Sequence, residues 1–176
     1  GVMLSAFNLG FPSKDGNKII SVECVFQGSK VFERGGPYTD LYYVSSLDAK
    51  RDIRLKESGD LTCFSFFKQI WPLYPRTLFY DWIYINALYK NKNLRDIIIS
   101  YDAFTDIEFN PNKSLNCQAK AAALFVSLYR RGILDRVVTS KEEYLNLFCP
   151  KNSKCVTYKQ GNQLLIPGLG FDALSR

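Results

Sequence analysis

The stretch SVECVFQGSKVFE, residues 21–33, places apolar Val22, Val25, Phe26 and Phe32 at helical spacing, opens on Ser21 and runs into Gly35-Gly36-Pro37. A serine accepts well from the free amides of a first turn, and Gly-Gly-Pro stops a helix, so the pattern predicts a helix from Ser21 to Glu33. At about 100° per residue, Glu23, Gln27 and Lys30 then share an arc of roughly 60°, with Arg34 continuing the stripe. One face would present an acid, an amide and an amine. The ordinary explanation of such a stripe is a solvated face. Here the neighbours Cys24, Gly28 and Ser29 are small and uncharged, which leaves room for a ligand.

Upstream, LSAFNLGF reads as an extended segment leading into a turn over residues 13–17. Downstream, Ser45 opens a short helix from Ser46 to Asp52. TLFYDWIYINALYK, residues 77–90, is apolar or aromatic nearly all round and predicts a buried central helix, in which Asp81 requires a partner. Residues 94–100 are expected to be helical despite the β-branched run Ile97-Ile98-Ile99. NCQAKAAALFVSLYRR, residues 116–131, predicts a long helix capped by Asn116 or Ser114 and ended by Gly132. Ser140-Lys141-Glu142-Glu143 is a capping box for a last helix reaching about Leu147. Val156 to Tyr158 and Leu164 to Ile166 are candidate strands.

With no repeat and no βαβ alternation, the expected fold is α+β and α-rich, a helical domain with a few short strands. One domain should span residues 1–176, with a core over about 4–148 and a C-terminal extension over 149–176.

Composition narrows the chemistry. The 176 residues carry 23 Lys plus Arg against 17 Asp plus Glu, a net charge of +6 that favours an anionic partner. There is no histidine. Ser-His-Asp and Cys-His machinery, imidazole bases and histidine metal sites are thereby excluded, and catalysis must use carboxylates, lysine, tyrosine or cysteine. No GxxxxGK[ST] or GxGxxG phosphate loop is present. The five cysteines have no CxxC spacing and are expected to be reduced thiols. No apolar run is long enough to span a membrane and no signal-peptide layout opens the chain, so a cytoplasmic protein is expected, with no metal and no cofactor.

A second acidic constellation is YDAFTDIEFNP, residues 101–111, where Asp102, Asp106 and Glu108 alternate with aromatics in a connector between helices. Phe104, Ile107 and Phe109 should tether it and hold its acids in place. Basic residues Lys50, Arg51, Arg54 and Lys56, with aromatics Tyr38, Tyr42, Tyr43 and Phe64 to Phe67, could pair with a diphosphate and stack on a base. Most of those aromatics belong in a core.

SVECVFQGSKVFE resembles the hallmark helix of the NADAR family, where Val-Glu precedes Phe-Gln and then Lys. SAFNL, FQGSKVFERGGPYTDLYY, WPLYPRTLFYDWIYINAL and YDAFTDIEFNPNKSLNCQAKAAALFVSL extend the resemblance over Leu4 to Leu147, toward the NADAR branch paired with guanine-modifying DarT toxins. It implies a YbiA-like fold and an ADP-ribosyl glycohydrolase that frees guanine bases of DNA, single-stranded DNA being the expected form, and so acts as antitoxin to a DarT-type toxin. Related YbiA-type members cleave phosphorylated riboflavin-pathway intermediates instead. Their Trp-Gly-containing acidic motif has no literal copy here, TDIEFNP standing in its place.

Breaking a ribose–base bond builds positive charge at C1, which a nearby carboxylate stabilises. Glu23 is the expected stabiliser or base, with Asp106 or Glu108 as its carboxylate partner. Lys30 either neutralises phosphate or attacks the ring-opened ribose as an amine. Asn8, Gln27, Ser29, Lys50, Arg51 and Asn110 are expected to contact substrate. The rivals are a non-catalytic nucleotide or nucleic-acid-binding module, for which charge and aromatics suffice, and a partner-binding protein with Glu23 and Lys30 on open surface.

Overall fold

The computed structural model describes residues 1–13, 16–106 and 117–149. Glu108, Asn110, the proposed caps Ser114 and Asn116 and the candidate strands near the C-terminus lie outside the described residues.

A 3-10 turn at Val2–Leu4 leads to β1 (Gly10–Pro12), which pairs antiparallel with β2 (Ile19–Ser21). Helix α1 (Val22–Gly28) follows at once, and β3 (Lys30–Phe32) after it. A second 3-10 turn at Thr39–Tyr43 precedes α2 (Ser46–Arg51) and α3 (Arg54–Glu57). Strands β4 (Leu61–Phe66) and β5 (Gln69–Trp71) join β3 in an antiparallel sheet ordered β3-β4-β5. The rest is helical: α4 (Leu78–Lys90), α5 (Lys92–Ile98), α6 (Gln118–Arg130), α7 (Leu134–Thr139) and α8 (Lys141–Phe148). The fold is α+β and helix-rich, as expected.

The helix from Ser21 to Glu33 is corrected: it stops at Gly28. Ser21 does cap it, accepting from the amide of Cys24 at 3.1 Å. The stop comes from packing, because Gly28 lies so close to Tyr42 that a Cβ there would come within 2.5 Å of its ring. Ser29 then accepts from the Ser65 amide at 2.7 Å, and Lys30, Val31 and Phe32 enter a ladder opposite Phe64, Cys63 and Leu61. Lys-Val-Phe suits a strand, and the ladder of β4 overrides the helical spacing. Arg34 consequently leaves the stripe and donates to the Glu57 carbonyl at 3.0 Å.

Helix α4 is the hub, buried at every position from Leu78 to Leu88 and packed on α1, α5, α6, α7 and β1. Its Asp81 finds the partner it required: Lys120 of α6 donates to Oδ2 at 2.7 Å and Thr77 donates to the same oxygen at 2.8 Å. Buried carboxylates persist only when compensated in this way. Ahead of α6 the cap is Cys117, whose Sγ accepts from the Lys120 amide at 3.3 Å. Ser45 and Ser140 cap α2 and α8 as expected. Glu143 departs from the capping box and pairs with Arg136 at 3.3 Å. Cys24, Cys63 and Cys117 are free thiols, whereas Cys149 is in a disulfide, contrary to the expectation of reduced cysteines throughout.

Candidate active site

Glu23 lies in the first turn of α1 and is 7% exposed. Its amide donates to the Ala6 carbonyl at 2.9 Å, which fastens the helix start to the N-terminal segment. Its Oε1 accepts from Gln27 Nε2 at 2.9 Å, one helical turn on. Gln27 Oε1 in turn accepts from Lys30 Nζ at 2.7 Å. The three side chains form one hydrogen-bonded chain from acid to amine, although the last of them sits on a strand. A flipped Gln27 amide would set oxygen against carboxylate and amino against ammonium, so the ends fix its orientation.

Lys30 is supported below by the Phe26 ring, whose centroid is 4.9 Å from Nζ. Burial lowers its pKa from the ordinary 10.5, the Glu23 carboxylate opposes that shift, and Lys50 adds to it. The start of β3 is held from behind by Gly36, at φ 86°, where any Cβ would collide with the Lys30 carbonyl.

Glu23, Gln27 and Lys30 all line one open cleft of about 510 Å³, a size suited to a nucleotide-scale ligand. Phe7, Phe26 and Phe64 supply apolar wall. Phe26 and Phe64 belong to an aromatic stack that continues to Phe79 of α4, with centroids 5.3 and 4.7 Å apart. Lys50 and Arg76, both exposed, bring two positive charges to the cleft.

The other expected residues are placed as follows. Lys50 lines the cleft, with Nζ 5.2 Å from the Phe7 ring centroid. Arg51 is exposed at the end of α2 and is not among the lining residues. The Asn8 amide is turned to the N-terminal segment, donating to Val2 O and Ser5 Oγ at 3.0 Å each. Ser29 is fully buried behind the cleft, its hydroxyl 2.9 Å from that of Tyr42. Arg54 is committed to Asp40 and Asp52 at 2.6 and 2.8 Å. Asp106 accepts from Cys117 Sγ at 2.8 Å and from the Ala119 amide at 3.0 Å, a carboxylate at a helix N-terminus. It thereby sets the first turn of α6, from which Gln118 reaches the cleft.

Sequence reasoning missed Arg76, Tyr80 and Gln118. Tyr80 looked like core material inside a helix apolar all round, and only its neighbour Asp81 signalled that this helix carried more than packing. Among the described residues no group of three His, Cys, Asp or Glu side chains is placed to hold a metal, and no helix is long and apolar enough to cross a membrane.

Residues 1–157 match the family described as DarT1-associated NADAR antitoxin. No curated protein matches the chain.

Proposed function

This chain belongs to the family of DarT1-associated NADAR antitoxins, and from that premise we propose that it is an N-glycosidase that removes ADP-ribose from guanine bases of DNA, undoing a DarT-type toxin's modification. One observation carries the reading: the chain Glu23–Gln27–Lys30 lines a cleft that also holds the cations of Lys50 and Arg76. A ribose over the chain would leave its diphosphate to the cations and a base to the aromatic walls. A non-catalytic binding module would have no use for an acid and an amine joined through a buried amide. Glu23 and Lys30 in a cleft also argue against the open surface of a partner-binding protein.

In the reaction, Glu23 stabilises positive charge as it grows at ribose C1. Lys30, whose burial favours the neutral amine, attacks C1. Glu23 takes the proton the amine loses and delivers it to the departing guanine nitrogen. The C1–O4 bond then opens, the remaining amine proton passing to O4, and water adds to the resulting C1 imine with its proton passing through Glu23; the lysine amine is expelled and the C1 aldehyde recloses on the O4 hydroxyl as ADP-ribose leaves. The balance is one water consumed, with guanine restored and ADP-ribose released. Gln27 holds the two reacting groups in register and orients the ribose hydroxyls. Asp106 contributes by fixing the first turn of α6, which brings Gln118 to the cleft.

The test compares two substrates under the same conditions: DNA bearing ADP-ribosylated guanine and a phosphorylated riboflavin-pathway intermediate. Faster turnover of the DNA supports the proposal. Turnover of the riboflavin intermediate alone would assign the cleft to the other NADAR chemistry.

A further inference from the structure

Four tyrosines are buried among the described residues, Tyr42, Tyr80, Tyr84 and Tyr144. Three of the hydroxyls are committed. That of Tyr42 lies 2.9 Å from Ser29 Oγ, that of Tyr84 donates to the Leu4 carbonyl at 2.7 Å, and that of Tyr144 donates to the Leu78 carbonyl at 3.0 Å. The Tyr80 hydroxyl has no hydrogen-bond partner among the described residues, and Tyr80 alone of the four lines the cleft. Among the described residues the buried polar atoms left without a partner are Trp71 Nε1, Asp81 Oδ1 and Trp82 Nε1; the Tyr80 hydroxyl instead opens to the cleft, where a ligand can reach it.

The ring is rigidly placed. It stands edge-on to Phe26, centroids 5.4 Å apart at 90°, and lies 6.2 Å from Tyr84. Phe26 is the same ring that underlies the Lys30 ammonium. The residue after Tyr80 is Asp81, tied to Lys120, so α4 and α6 are locked together beside the phenol. Burial first, then the Tyr84 phenol and the carboxylates of Glu23, Asp81 and Asp106, push the Tyr80 pKa upward. The group therefore stays protonated, and what it offers a ligand is a donated hydrogen bond. Tyr80 and Glu23, the carboxylate at which the ribose would react, line the same cleft.

We propose that Tyr80 is a further substrate-contacting residue, whose hydroxyl donates to an oxygen of the ribose held over Glu23. This rests on the N-glycosidase reading of the cleft. A hydroxyl on a fixed ring and open to the cleft is placed to exchange water for a substrate oxygen.

Tyr80→Phe removes only that hydroxyl. We expect kcat/KM on ADP-ribosylated guanine DNA to fall about 10- to 100-fold, while the unfolding midpoint stays level or rises because no protein hydrogen bond is lost. Tyr84→Phe is the control, with a lowered midpoint and retained activity. Wild-type kcat/KM in Tyr80→Phe would overturn the assignment. Should the wild type release no ADP-ribose, the functional reading fails first, and calorimetry with free ADP-ribose decides on Tyr80. Binding weakened about tenfold or more in Tyr80→Phe supports the contact; equal binding, or none by the wild type, overturns it.

Discussion

Lys30 Nζ stands 2.7 Å from Gln27 Oε1, although Gln27 lies in the last turn of α1 and Lys30 opens β3. The contact spans the junction at which α1 gives way to β3. Helix α1 supplies the acid and the amide, and β3 supplies the amine. The junction at Ser29, buried against Tyr42 and bonded to β4, sets the geometry of the chain.

The lowered pKa of Lys30 makes activity depend on pH in a definite sense. As pH rises through the folded-state pKa, below 10.5, the neutral amine accumulates and kcat/KM should climb. Stability follows the same direction. The folded chain holds the Lys30 proton less tightly than the unfolded one, so this residue opposes folding below its folded pKa and ceases to do so as pH approaches 10.5. Lys30→Arg, charged throughout, should be inactive and lack the rising limb. A rate that instead falls through the same range would mark Lys30 as a phosphate-neutralising cation.

Glu23→Gln preserves shape and removes the charge opposite C1. Turnover should drop by roughly 10²- to 10³-fold with KM changed only a few-fold. Steady-state kinetics on the modified DNA checks it, and comparable turnover would take Glu23 out of the chemistry.

Lys50→Ala addresses the mouth of the cleft. It should raise KM and flatten the dependence of KM on salt, leaving kcat near wild type, because a surface cation acts on the polyanion mainly in binding. A collapse of kcat with unchanged KM would place Lys50 at the reacting atoms.

The long helices were legible because their signals are local. Residues 77–90 and the alanine-rich run after Cys117 fold as their composition dictates. The α1–β3 boundary was not legible, since Val31 and Phe32 fit a helical stripe as well as a strand and the choice is made by β4, some 30 residues on. The site was half legible. Glu23, Gln27 and Lys30 converge on one cleft, as a single helix face would also have made them do, while Arg76 and Gln118 reach it only through tertiary packing. Asp106 stood out as an acid beside aromatics; that it would bond the start of α6 depended on where the connector turns back.

Lys120→Met strips the partner from Asp81, whose side chain is 5% exposed against 55% for the lysine. Because the lysine is half in water, the expected loss is about 2–3 kcal/mol, short of a fully buried pair. Burial already raises the Asp81 pKa, with Lys120 and Thr77 opposing. A carboxyl with a raised folded pKa favours folding below its unfolded value of 3.8, and that contribution is lost as pH rises through the folded value. The variant's deficit should therefore be largest at neutral pH and shrink on acidification, as urea unfolding across pH would report.

The central claim is tested most directly by a single-turnover reaction on an oligonucleotide bearing one ADP-ribosylated guanine, with both the DNA and the small-molecule product read by mass. The account predicts free ADP-ribose and DNA with its guanine intact, a signal lost in Glu23→Gln. An untouched modification, or an abasic site where the guanine had been, would contradict it.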